Sequence, residues 1–315
     1  MPITLDPALF RPEAVTAETR AFLDRIGPEL GALPGQHEVP VEVTRAARDE
    51  GRGIFPPGGP LEGSEWRELP AGGRVRVSPA PGGEPRAVYL HIHGGGWALG
   101  RPSHYDRANQ ALAAATGVTV VSVEYRLAPE HVWPANLEDC LAAARWLLDG
   151  GLAEFGVETL FIGGESAGAH LSAAVLVALG EARGRFAGAV LNYGCFDAAM
   201  TPSARGWGER KLVLSTPTIA FFAETVDPAG AMRADPAGTP LKADLSGMPD
   251  ALFQVGTEDP LLDDSLMMAA RWAGAGAGAE LAVYPGGIHA FDAFPELPIA
   301  REFQARQAGF VLGRL

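Results

Sequence analysis

The stretch "TLFIGGESAGAHLSAAVLVALG", Thr159–Gly180, joins an apolar β-rich run to an apolar helical run through two glycines and a serine. Its centre, Gly164-Glu165-Ser166-Ala167-Gly168, has the spacing G-x-S-x-G. A strand that turns sharply into a helix holds its central serine strained and exposed, and flanking glycines let the backbones pass. The start of the helix also favours negative charge near that serine. G-x-S-x-G alone is a common pattern; the strand-turn-helix context gives it weight. The alternative is a glycine-rich turn with an ordinary capping serine.

Outward from this turn, strands and helices alternate. "RVRVSPA" (74–80) alternates with period two and reads as an outer strand. "AVYLHI" (87–92) and "VTVVSVEY" (118–125) read as strands buried on both faces, and "FAGAVLNYG" (186–194) as a further strand. "DALFQVG" (250–256) and "ELAVYPG" (280–286) complete the strand set. Helices are expected over 103–115, with Ser103 and Asp106 as an N-cap pair, and in "PANLEDCLAAARWLLDGG", opened by Pro134 and closed by Gly150-Gly151. "LLDDSLMMAARWAG" and "PIAREFQARQAGFVLGRL" follow, with "AGAGAGAE" as a frayed helix end. Such alternation predicts an α/β fold, a mostly parallel sheet with helices on both faces. Its ligands bind beyond the carboxyl ends of the strands.

Two regions break the pattern. Residues 1–50 carry a helical segment with Val15, Phe22, Leu23 and Ile26 at helical spacing, broken at Gly27-Pro28. Residues 195–237 hold no obvious sheet strand but do hold Leu212, Leu214, Ile219, Phe221 and Phe222. The expected organisation is therefore N-terminal helices over 1–50, a core over 51–194 and 238–315, and an insertion over 195–237.

A serine hydroxyl becomes nucleophilic when a base takes its proton and an acid orients that base. In a strand-turn-helix site of this kind the chain order is serine, acid, histidine. His289, in "YPGGIHAF", lies beyond Ser166 in a loop after a late strand, whereas His170 sits on the elbow helix and reads as packed. "VGTEDPLLDDS" offers Asp259 at the carboxyl edge, with Glu258 as the next candidate; Asp263 and Asp264 read as first-turn carboxylates of the following helix. An oxyanion needs N–H donors, each worth roughly 3–4 kcal/mol. The successive glycines of "YLHIHGGGWALG" (89–100) can supply them, since bare N–H groups there approach a substrate oxygen with no Cβ in the way, and the N–H of Ala167, directly after the nucleophile, adds another. His91-x-His93 lacks the further ligands of a metal site, and the G-x-G-x-x-G spacing fails at Leu99, so no metal or cofactor is expected.

Composition excludes other classes. The net charge of −13 argues against nucleic acid or an anionic membrane surface. The N-terminus lacks a basic leader followed by an apolar block, no run is long enough to span a bilayer, and a cytoplasmic protein is expected. Cys140 and Cys195 stand apart from any CxxC or Cys/His cluster and read as small apolar fillers.

"HGGGW", "YRLAPEHVWPA", "GESAG", "DPLLD" and "IHAF", spread from His93 to Phe291, together resemble the hormone-sensitive-lipase-like branch of the α/β-hydrolases. The resemblance covers most of the chain. It implies a carboxylesterase for short- to medium-chain acyl esters, working through an acyl-enzyme. Ser166 would be the nucleophile, Asp259 and His289 its partners, and Gly94, Gly95 and Ala167 the oxyanion donors. It further implies a cap built from the N-terminal helices and the insertion, a structural His93, and dimers joined through the sheet edge. Glu165 departs from the aspartate many members carry before the serine. Arg126 and Glu130 read as loop braces. Trp97, Trp207, Leu214, Phe221 and Phe222 are candidates for the substrate-pocket wall. An amidase or formamidase on the same triad, and a non-catalytic small-ligand receptor of the same fold, are the alternatives.

Overall fold

The computed structural model describes residues 3–315. Its centre is an eight-stranded sheet in the order β1-β2-β4-β3-β5-β6-β7-β8. The strands are β1 (Glu65–Glu68), β2 (Arg74–Ser78), β3 (Val88–Ile92), β4 (Thr119–Glu124), β5 (Leu160–Glu165), β6 (Gly188–Asn192), β7 (Ala251–Glu258) and β8 (Ala279–Ile288). β2 pairs antiparallel with both β1 and β4, and across β4-β3-β5-β6-β7-β8 every pairing is parallel. β3 and β6 are buried throughout and β5 is buried up to Gly164, which explains their unbroken apolar sequence.

Eleven α-helices surround this sheet among the described residues. Before the sheet come α1 (Ala17–Ala32) and α2 (Val41–Asp49). The crossovers supply α3 (Asp106–Thr116), α4 (Ala135–Trp146), a short α5 (Leu152–Glu154) and α6 (Ala167–Ala178). The insertion holds α7 (Pro202–Gly206), α8 (Thr216–Val226) and α9 (Ala231–Ala234), with Leu212↔Leu214 as an isolated bridge and no sheet strand. α10 (Leu262–Gly274) and α11 (Pro298–Leu312) close the chain. Among the described residues, no helix is long and apolar enough to cross a membrane. Both cysteines are buried and unbonded.

Several expectations change. The first helix does not stop at Gly27-Pro28 but runs on to Ala32. Pro28 removes one hydrogen bond, yet the buried stripe Phe22, Ile26 and Leu30 joins the aromatic cluster around Phe294 and Phe303, at about 1.5–3 kcal/mol per side chain. "RVRVS" lies one position in from the edge, because the charged "EWRE" forms an outer strand that alternation of apolar residues could not reveal. The helix from Ala135 extends through a π turn over Leu147–Gly151, and the break expected at Gly150-Gly151 is present, with Gly150 at φ 140° before the short α5 follows. Ser103 and Asp106 do not cap α3. The Asp106 carboxylate accepts from the Leu61 N–H and from the Arg76 guanidinium, which is worth more than a cap bond to a buried charge.

Candidate active site

β5 ends at Glu165, and Ser166 takes φ 56° and ψ −119° before α6 begins. Its N–H stays tied to the carbonyl of Asn192 on β6 at 2.9 Å, so the turn is pinned to the sheet. Close approach accounts for the flanking glycines. A Cβ on Gly164 would lie 2.0 Å from the carbonyl oxygen of Ile92, and one on Gly168 1.9 Å from the same atom. Trp97, Ser166, Tyr193 and Ala290 are four of the six non-glycine residues with positive φ among those described. All four lie at the carboxyl end of the sheet, the kind of backbone strain that gathers at working sites.

The three residues of the expected triad meet. Ser166 Oγ donates to His289 Nε2 at 3.0 Å, and His289 Nδ1 donates to Asp259 Oδ2 at 2.9 Å. Asp259 follows directly on β7, which runs to Glu258, and its Oδ1 accepts from the Leu261 N–H at 2.9 Å. Asp259 and His289 are both buried. Glu258 instead faces outward, paired with Arg210 at 2.5 Å. Asp263 and Asp264 do more than complement the dipole of α10. Asp263 accepts from the Ser203 N–H, and Asp264 from the N–H groups of Phe196 and Asp197 and the Thr201 hydroxyl, so the pair anchors the insertion. Burial pushes the Asp264 carboxyl up to about 7.

The glycine loop separates its roles. His93 Nδ1 donates to the Gly94 carbonyl at 2.9 Å, its ring stacks on Tyr125, and the Tyr125 hydroxyl donates to the His93 carbonyl. Burial holds His93 well below the ordinary histidine range, so it braces the loop as a neutral ring. The Gly94 N–H donates to the Tyr105 hydroxyl at 3.2 Å and is therefore already engaged. The N–H groups of Gly95 and Gly96 have no acceptor among the described residues. Ala167, the first residue of α6, has no intrahelical acceptor for its N–H either. Of the N–H groups expected as donors, that of Gly94 is engaged by Tyr105, while those of Gly95 and Ala167, and of the neighbouring Gly96, are open in this geometry.

Glu165 accepts from His91 Nε2 at 2.9 Å, while His91 Nδ1 lies 2.7 Å from Ser122 Oγ. The two histidines of H-x-H thus have separate partners. His170 is buried and takes the Trp97 indole N–H on Nδ1 at 3.1 Å, so its Nε2 donates to the Gly238 carbonyl at 3.0 Å. Burial lowers its pKa to about 4. Arg126 pairs with Glu138 and Asp139, and Glu130 with Arg45, as loop braces would.

A cavity of about 1070 Å³ opens above Ser166 and His289. Leu214 and Phe222 line it; Trp97, Trp207 and Phe221 do not. The left-handed turn through Gly96 and Trp97 carries the indole behind the loop onto α6. Trp207 lies on the insertion, donating to the Arg210 carbonyl and covered by its guanidinium. Phe221 neighbours Phe222 on α8, where a turn of about 100° per residue sets its ring on a different side from the one Phe222 presents to the cavity. Sequence reasoning missed Tyr193 and Asp292. The Tyr193 ring stands edge-on to His289 at 4.9 Å, and its hydroxyl donates to Asp292 Oδ1 at 2.7 Å. Burial pushes Asp292 up to about 6. No motif marks these two residues, which meet only in the folded chain.

Comparison with known proteins gives a consistent result. The family described by the alpha/beta hydrolase fold matches residues 89–293. An acetyl-hydrolase of Streptomyces hygroscopicus is 32% identical over 228 residues, covering 70% of this chain and 74% of that protein. The carboxylic ester hydrolase LipN of Mycobacterium tuberculosis is 32% identical over 270 residues, 82% of this chain and 66% of LipN. Among solved structures, an esterase from Pyrobaculum calidifontis aligns with TM-score 0.82 at 28% identity over 92% of this chain and 98% of that one. A hormone-sensitive lipase from a metagenome library aligns with TM-score 0.82 at 29% identity, covering 94% and 98%. A strained serine on a strand-helix elbow, a glycine loop with open N–H groups and these likenesses lead to one conclusion: the chain belongs to the α/β-hydrolase family, in its hormone-sensitive-lipase-like esterase branch.

Proposed function

We propose that the protein hydrolyses short- to medium-chain acyl esters with Ser166, His289 and Asp259 as its catalytic residues. Ser166 Oγ attacks the ester carbonyl carbon while its proton passes to His289 Nε2. Asp259 fixes the imidazole tautomer and stabilises the imidazolium that forms. The carbonyl oxygen becomes an oxyanion and is received by the N–H groups of Gly95, Gly96 and Ala167. Collapse breaks the bond to the alcohol, which leaves with the proton from His289. Water then attacks the acyl-enzyme, His289 takes its proton, and Ser166 is regenerated as the acid departs. The N-terminal helices and the insertion act as a cap over the cavity.

The relay from Ser166 through His289 to Asp259, at 3.0 and 2.9 Å, carries this reading. Ser166→Ala is expected to lower kcat for p-nitrophenyl butyrate by on the order of a millionfold. Near-complete turnover by that variant, or wild-type protein that resists labelling by a fluorophosphonate probe, would remove the assignment.

A further inference from the structure

The cavity above Ser166 carries a charge opposite to that of the chain. The whole sequence has 25 basic and 38 acidic residues. The cavity lining has five basic residues, Arg48, Arg52, Arg107, Lys211 and Arg301, and two acidic ones, Glu165 and Asp292. Glu165 is paired with His91, and the Asp292 carboxylate is held by the Tyr193 hydroxyl. Lys211 pairs with Glu38, and Arg52 with Glu50. Arg48, Arg107 and Arg301 have no carboxylate partner among the described residues.

Arg48 differs from the other two in being half-buried. It stands on α2, one turn after Arg45. Arg45 is fully employed: two nitrogens reach Glu130 at 2.7 and 2.9 Å, and others donate to the carbonyls of Ala98 and Ala128. Arg48 has no carboxylate or carbonyl partner of this kind among the described residues, and its guanidinium is turned instead to the neutral Tyr105 hydroxyl. Its guanidinium lies 5.9 Å from the Phe55 ring, and its charge opposes the burial-driven rise at Tyr105, the residue that holds the Gly94 N–H. A half-buried cation beside a site, left without an anion, carries a desolvation cost that a bound anion would offset.

We infer that the cavity selects esters bearing a carboxylate several bonds from the scissile bond, with Arg48 as the residue that receives it. A guanidinium fork matches a planar carboxylate through two parallel hydrogen bonds. Arg107 and Arg301, exposed on α3 and α11 at the cavity rim, add a long-range field that draws such anions in. This inference names the substrate class of the ester-hydrolase reading above and rests on it.

The test compares kcat/KM, followed by alcohol or acid release, for a charged and neutral series of one length. Monoethyl adipate, ethyl adipamate and ethyl aminocaproate place a carboxylate, a carboxamide and an ammonium at the acyl end. Acetoxycaproate and its amide do the same on the alcohol side. Wild type should prefer the carboxylate over the carboxamide by about tenfold in at least one series, a charge-assisted hydrogen bond's worth. Arg48→Gln should bring that ratio to near one and Arg48→Lys should keep part of it. Added salt should shrink the preference. Equal rates for carboxylate and carboxamide in both series, or a preference for the ammonium, would overturn the inference. So would a parallel fall of charged and neutral substrates in Arg48→Gln; the wild-type comparison stands even if that variant does not fold. If Ser166→Ala abolishes hydrolysis and the wild-type ratio is still one, the esterase reading survives and only the charge inference falls.

Discussion

The hydroxyl of Tyr105 accepts the Gly94 N–H at 3.2 Å, and that one contact decides which glycines of "HGGG" remain open to a substrate. Gly96 shows the complementary constraint, since a Cβ there would lie 2.5 Å from the Phe222 ring. The first glycine is thus anchored and the third lies against Phe222 of α8. Tyr105→Phe removes the acceptor, and an unpaired buried N–H costs about 1–3 kcal/mol. We expect kcat for p-nitrophenyl butyrate to fall about tenfold as the donors of Gly95 and Gly96 lose alignment. An increase in kcat would instead return Gly94 to the donor set. At this scale the meeting of Ser166, Asp259 and His289, the triad proposed above, was legible in the sequence, because each sits in a short motif whose order along the chain follows the proposed chemistry. Tyr105, Tyr193 and Asp292 were not legible; their roles arise from distances between elements.

Helices decide what the cavity holds and how firmly the loops sit. On α8, Phe222 faces the cavity and Phe221 faces away. Phe222→Ala should move the acyl-length optimum toward longer chains, while Phe221→Ala should leave the profile in place; a profile of p-nitrophenyl esters reads both. On α6, His170 joins the Trp97 end of the glycine loop to Gly238 beyond the insertion. Its pKa of about 4 lies below the ordinary histidine value of 6.5. The unfolded chain therefore binds the proton more readily. The stability His170 contributes is complete above about pH 6.5 and is lost as pH falls through about 4, with a slope of up to about 1.4 kcal/mol per pH unit. Urea denaturation of wild type and His170→Asn across this window should show the wild type losing stability faster on acidification. Parallel curves would count against this role. Helix existence was readable from periodicity, but the continuation of α1 through Pro28 was not, because it depends on the aromatic cluster that α1 meets.

Across the whole molecule, one buried ion pair ties three regions together. The Arg76 guanidinium on β2 grips both oxygens of Asp106 on α3 at 2.6 Å and donates to the Leu61 carbonyl, while Asp106 accepts from the Leu61 N–H. Arg76→Met leaves Asp106 buried without a counter-charge and should cost about 3–5 kcal/mol in chemical denaturation. A loss below about 1 kcal/mol would mean that water replaces the guanidinium at no great cost. Nothing in "RVRVS" marks Arg76 for this task; its partner lies 30 residues away and was read as a helix cap. The same limit governs the molecule in general. Alternating apolar runs and the G-x-S-x-G elbow determined the α/β architecture and the strand-turn-helix geometry that holds Ser166, since period and turn geometry act over a few residues. Which N–H groups stay open, which aromatic rings reach the cavity and why an acidic chain has a basic pocket were decided by tertiary structure. Those properties depend on which donors are already satisfied and which charges are already paired, and only the packed chain settles either.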